Sequence, residues 1–163
     1  MKVVPFSAIP AMPPLVPGHA SGAGRVQAYS IEAEAQEFMS AYAGDVRAGR
    51  RRSISDRYDR KGAYRVGEGE KKFESFETIR AAYEVAWSPP KSFEWKDLSY
   101  EAIGPDAVVV AGLFEWEIAS GKKSTFSYTG LLVRRDGVLR IRLEDESIRL
   151  SIGGLGRTDC GLS

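Results

Sequence analysis

From Ile31 to about Gly49 apolar residues recur at steps of three and four, through Ala35, Phe38, Met39, Tyr42, Ala43 and Val46. That stripe predicts an amphipathic helix. Ser30 is placed to cap its start, and Gly49 to end it. A short second helix is expected over Arg51 to Tyr58, with Ile54 and Tyr58 turned inward. Two short strands follow, Ala63 to Val66 and Lys71 to Glu74, across the polar connection Gly67-Glu68-Gly69-Glu70. Ser75 then caps a third helix whose inner face is Phe76, Ile79, Tyr83, Ala86 and Trp87, stopped by Ser88-Pro89-Pro90.

Beyond Pro90 the period changes from 3.6 to 2. Strands are expected at Ser92–Ile103, Ala107–Ala119, Ser124–Arg135 and Val138–Ser147. Gly104-Pro105-Asp106, Ser120-Gly121-Lys122 and Asp136-Gly137 are their turns. Helices followed by a run of strands predict an α+β domain, three N-terminal helices packed on a curved antiparallel sheet.

Alternation sorts the strands into faces. Val108, Val110, Gly112, Phe114 and Trp116 are expected to face the helices, as are Phe126, Tyr128, Gly130 and Leu132. Counting on from Leu139 and Ile141 puts Leu143 and Asp145 on the same inner face and Glu144 on the outer one. Asp145 then stands among apolar neighbours, where a carboxyl must be paired, hydrogen-bonded or shifted in pKa. It is the candidate catalytic residue, a base or ligand anchor, with a structural acid at a strand end as the plainer alternative. Tyr42, Tyr58, Tyr64, Trp116 and Tyr128 are the candidate ligand-binding residues, as inward aromatics able to shape a pocket and offer hydroxyls. The outer face carries Val109, Ala111, Leu113, Leu131 and Val133, too apolar for a solvated sheet face, which suggests a homodimer through the sheet.

Composition changes this picture only by exclusion. Formal net charge is +1, which gives no global case for nucleic acid or an anionic membrane. No apolar run is long enough for a membrane-spanning helix. With one cysteine, Cys160, and one histidine, His19, there is no internal disulfide and no expected metal site or cofactor. The Pro- and Gly-rich residues 1–28 read as a disordered leader of a cytoplasmic protein, with an export signal as the alternative. The domain is expected over 29–148 and a flexible tail over 149–163.

Three stretches carry a family resemblance: Phe38-Met39-Ser40-Ala41-Tyr42-Ala43-Gly44-Asp45, Phe76-Glu77-Thr78-Ile79-Arg80-Ala81-Ala82-Tyr83, and Arg134-Arg135-Asp136-Gly137 onward to Ser147. In their order and spacing the chain resembles the nuclear transport factor 2-like superfamily, in particular its SnoaL-like and ketosteroid-isomerase-like members. The resemblance implies a cone-shaped α+β fold with a pocket for a small apolar or polycyclic molecule, and isomerase, lyase or hydrolase-type acid/base chemistry there. A non-catalytic homodimerising or partner-binding module is the alternative. The family's isomerase positions fall near Val66, Glu37 and Thr129, none of which carries the matching group. Leu139 stands where a Trp is usual and Asp145 where a His is usual, while Ser147 agrees.

Overall fold

The computed structural model describes residues 30–67 and 70–148, and the expected leader and tail lie outside them. Helix α1 (Ile31–Arg47) starts where Ser30 Oγ accepts from the Ala33 N–H at 3.2 Å, and its backbone turns away at Gly49, φ 66°. Helix α2 (Arg51–Ser55) is one short turn, ending earlier than its sequence suggests. Strands β1 (Ala63–Gly67) and β2 (Glu70–Glu74) pair as a hairpin. Ser75 caps helix α3 (Phe76–Val85) through the Thr78 N–H at 3.1 Å. Four long strands complete the chain: β3 (Ser92–Gly104), β4 (Ala107–Glu117), β5 (Lys123–Arg135) and β6 (Val138–Ile148).

They form one six-stranded sheet in the order β2-β1-β6-β5-β4-β3. The sheet is antiparallel except where β1 runs parallel to β6, Arg65 beside Glu144 and Val66 beside Asp145. That pairing is long-range. It sets the small hairpin against the end of the last strand, and alternation within the segments does not report it. At the opposite hairpin Asp136 and Gly137 both take positive φ, 51° and 78°, the requirement of a two-residue turn matching the strand twist.

The helices cover one face. Met39, Ile54, Ile79, Val108, Leu132 and Ile141 are fully buried between the layers. Trp95 Nε1 donates to the Met39 carbonyl at 3.0 Å and fastens α1 to β3. The buried Asp45 of α1 accepts from Arg50 at 2.6 Å and from Arg57 Nε at 2.9 Å, and a second nitrogen of Arg57 completes a fork on the same oxygen. Arg57 in turn lies 5.0 Å over the Phe38 ring. One carboxylate thus joins α1 to both ends of α2.

The inner-face assignments hold in β4 and β5. In β6 they hold only as far as Ile141. Leu132 pairs with Ile141, but Leu131 pairs with Leu143, so Arg142 is an extra residue opposite no partner. A bulge of one residue reverses the facing of all that follows. Leu143, Asp145 and Ser147 therefore share the outer face with Leu131, Thr129 and Ser127, while Glu144 and Glu146 turn inward opposite Gly130 and Tyr128. Arg142 has a use for its position: its guanidinium donates to the Gly62 carbonyl at 2.6 Å and lies over the Tyr64 and Phe73 rings.

Candidate active site

Between α1, α3 and the inner sheet face lies a cavity of about 420 Å³, within the range of small-molecule sites. Its walls are aromatic. Phe93, Phe114 and Trp116 come from adjacent strands, and Trp87 follows the end of α3. The Trp87 and Trp116 rings meet edge to face with centroids 6.4 Å apart, and Tyr83 lies 5.8 Å from Trp87. Tyr42 of α1 closes one side. Ala82 and Ala86, both exposed, form the mouth, so small side chains on α3 leave the entrance open.

Two charged groups enter this wall, Glu146 of β6 and Arg65 of β1. Behind them is a buried polar chain. Tyr58 Oη donates to Glu144 Oε1 at 2.6 Å, and Arg65 Nε donates to the same oxygen at 2.9 Å. Tyr83 Oη lies 3.0 Å from Tyr58 Oη. A hydroxyl has one proton to give. Tyr58 gives its own to Glu144, so Tyr83 donates to Tyr58. Glu144 is 2% exposed, and its second oxygen has no hydrogen-bond partner among the described residues. A second, polar cavity of about 260 Å³ adjoins, sharing Arg65 and Glu146 and reaching Glu144 and the β2 residues Glu70, Lys72 and Glu74.

Glu146 is half-buried, and no hydrogen bond or ion pair to it is seen among the described residues. Loss of water pushes its carboxyl up to about 8, with Glu144 adding to the rise and Arg65 opposing it. Burial first, then the charge of Glu144, also raises the Tyr58 and Tyr83 hydroxyls above their ordinary value, so both stay protonated.

The sequence candidates separate on this geometry. Tyr42 and Trp116 line the cavity. Tyr58 is fully buried beneath it and reaches it through Tyr83. Tyr128 is buried with its hydroxyl unpartnered among the described residues, its ring laid over Gly130, where a Cβ would stand 2.6 Å from Tyr128 Oη. Tyr64 lies on the outer face against Phe73, centroids 5.1 Å apart, away from the cavity. Asp145 is also on the outer face, where it accepts from Ser147 Oγ at 2.9 Å. The expectation that Asp145 faces the pocket is corrected by the bulge at Arg142. The inward acid is Glu146, with Glu144 behind it, and sequence reading missed both. Glu144-Asp145-Glu146 offers a carboxyl to either face, and the pairing of Ser127 with Ser147, which only the folded sheet shows, selects the glutamates.

A ketosteroid-isomerase-like protein from Parabacteroides distasonis superposes with a TM-score of 0.64 at 12% identity, covering 78% of this chain and 94% of that one. A protein of unknown function from Shewanella oneidensis, described as NTF-2 like, gives 0.62 at 14% identity, over 70% of this chain and 96% of the other. The fold is nuclear transport factor 2-like. A type 2 hexachlorocyclohexane dehydrochlorinase shares this nuclear transport factor 2-like fold, with a TM-score of 0.56 at 17% identity over 72% of this chain and 84% of that one. Neither a protein-family model nor a curated protein matches the chain in sequence. Among the described residues no helix is long and apolar enough to cross a membrane.

Proposed function

We propose that this protein binds a small, largely apolar molecule in the aromatic cavity and that Glu146 moves a proton on it. The observation that carries the reading is the single carboxyl in a mostly aromatic wall, with Arg65 beside it and a second, polar cavity adjoining. A carboxyl displaced toward neutrality can both take and return a proton near physiological pH, the requirement for general acid/base work. Glu146 thus takes the role that the sequence offered to Asp145. The dehydrochlorinase and the ketosteroid-isomerase-like neighbour share the fold, which supports the reading here without supplying its residues.

The cavity is tested by closing its mouth. Ala82→Trp lies on the exposed side of α3 and leaves the buried layer untouched. With the neutral dye Nile red as probe, the wild-type protein is expected to enhance the dye's emission and Ala82→Trp to lose most of that enhancement at an unchanged thermal midpoint. Equal emission from both proteins sinks the pocket reading.

A second reading rests on a separate surface. Val109, Leu113, Leu131 and Val133 stay half-buried on the sheet face that no described helix covers. An apolar stripe of this kind suits a second copy of the chain.

A further inference from the structure

We propose that the molecule the cavity takes is a protonated amine on an aromatic or alicyclic body, its ammonium seated against Glu146. This deepens the small-molecule reading and rests on it. The hydrogen-bonding polarity of the site is the first support. Tyr83 has spent its proton on Tyr58, which has spent its own on Glu144, so the Tyr83 oxygen has only a lone pair left for a ligand. The carboxylate of Glu146 is an acceptor as well, and the buried, unpartnered oxygen of Glu144 lies behind it. Arg65 and the Tyr42 hydroxyl are donors on the same wall, so it is at Tyr83 and Glu146 that a head group rich in donors fits better than an acceptor such as a ketone.

Charge is the second support. Facing Glu146 are Glu144 on its own strand, Arg65 on β1, Tyr128 on β5, Tyr42 on α1, Tyr83 on α3, and the β2 residues Glu70, Lys72 and Glu74. Arg65 binds Glu144 through Nε at 2.9 Å and Glu74 through a terminal nitrogen at 3.4 Å. Lys72 and Glu70 pair with each other at 2.6 Å. Two carboxyls, Glu74 and Glu144, therefore share the Arg65 guanidinium, and Glu146 is left without an ion pair among the described residues. An ammonium there supplies the missing cation, and the Trp87, Trp116 and Tyr83 rings offer the faces on which a desolvated cation is stabilised. Asp145 adds negative charge from the other face of the strand.

Seating a cation requires Glu146 to give up its proton, so binding is linked to pH. Affinity is expected to climb between about pH 6 and about pH 8 and then level, since the amine itself stays charged across that window.

The experiment compares three probes with one ring and one chain length, phenethylammonium, phenethyl alcohol and phenylacetate, by calorimetric titration at several pH values. The expected result is phenethylammonium tighter than the other two by about tenfold or more at high pH. That preference should fade on acidification and vanish in Glu146→Gln, which should still bind the alcohol. Binding of the alcohol or phenylacetate as tightly as the amine overturns the amine proposal and leaves the small-molecule reading standing. Failure of all three to bind overturns both. An amine preference that survives unchanged in Glu146→Gln also overturns the proposal, because Glu146 is then not its seat.

Discussion

At the scale of single residues, Glu146 decides most. Burial, with the charge of Glu144 adding to it, pushes its carboxyl up from the ordinary 4.5 to about 8 in the folded chain. The folded state therefore binds the extra proton between those limits, and stability falls as pH rises through them. Glu146→Gln mimics the protonated form without its cost. Thermal denaturation is expected to show the variant more stable than wild type at about pH 8.5 and nearly equal to it at about pH 4.5. A variant that melts lower at the higher pH would refute the unpaired, desolvated carboxyl. Such a gain in stability with a loss of binding is the trade-off a functional acid shows. Neither Glu144 nor Glu146 looks special in sequence, because a run of acids near a strand end is commonly solvated. Only the parity of the strand gives these two a different environment.

Among the elements, caps and turns were legible and the bulge was not. Ser30, Ser75 and Asp136-Gly137 act through bonds within a few residues, so their chemistry can be read locally. The extra residue at Arg142 leaves no local mark. It is stabilised by Gly62, Tyr64 and Phe73 from a distant hairpin. The junction of α1 with α2 is closer in sequence, its contacts 5 and 12 residues apart, and its centre is Asp45, 5% exposed and held by Arg50 and Arg57. Asp45→Asn leaves the Arg57 guanidinium, itself mostly buried, without its counter-charge. Removing one partner of such a pair costs about 3 kcal/mol or more. Chemical denaturation should show a loss of that order, against less than about 1 kcal/mol for the exposed pair partner Asp56 changed to Asn. Equal losses for the two variants would mean that Asp45 is no more than a surface acid.

For the whole molecule, the two faces of the sheet differ in what they carry. The inner face carries the core and the cavity, and the outer face carries the apolar stripe of β4 and β5. If that stripe joins two copies, light scattering at about 50 μM should give a dimer mass, and Leu113→Asp should give the monomer mass with the fold retained. A monomer mass for the unaltered protein at that concentration would remove the dimer reading. Nile red enhancement should persist in Leu113→Asp, because the cavity lies on the other side of the sheet.

What the sequence determined by itself was the order of elements, the α+β class, and the inward aromatics Tyr42, Phe114, Trp116 and Tyr128. Each depends on periodicity or capping within one segment, and local sterics enforce those. The tertiary structure alone decided which acid enters the pocket, because strand facing past a bulge depends on pairing with β5 and β1. It also decided that Tyr64 belongs to the outer face, that Tyr58 and Tyr83 form a one-way donor chain, and that Arg65 reaches Glu144 on the last strand. Those are relations between residues far apart in the chain, and only the folded sheet brings them within hydrogen-bond reach.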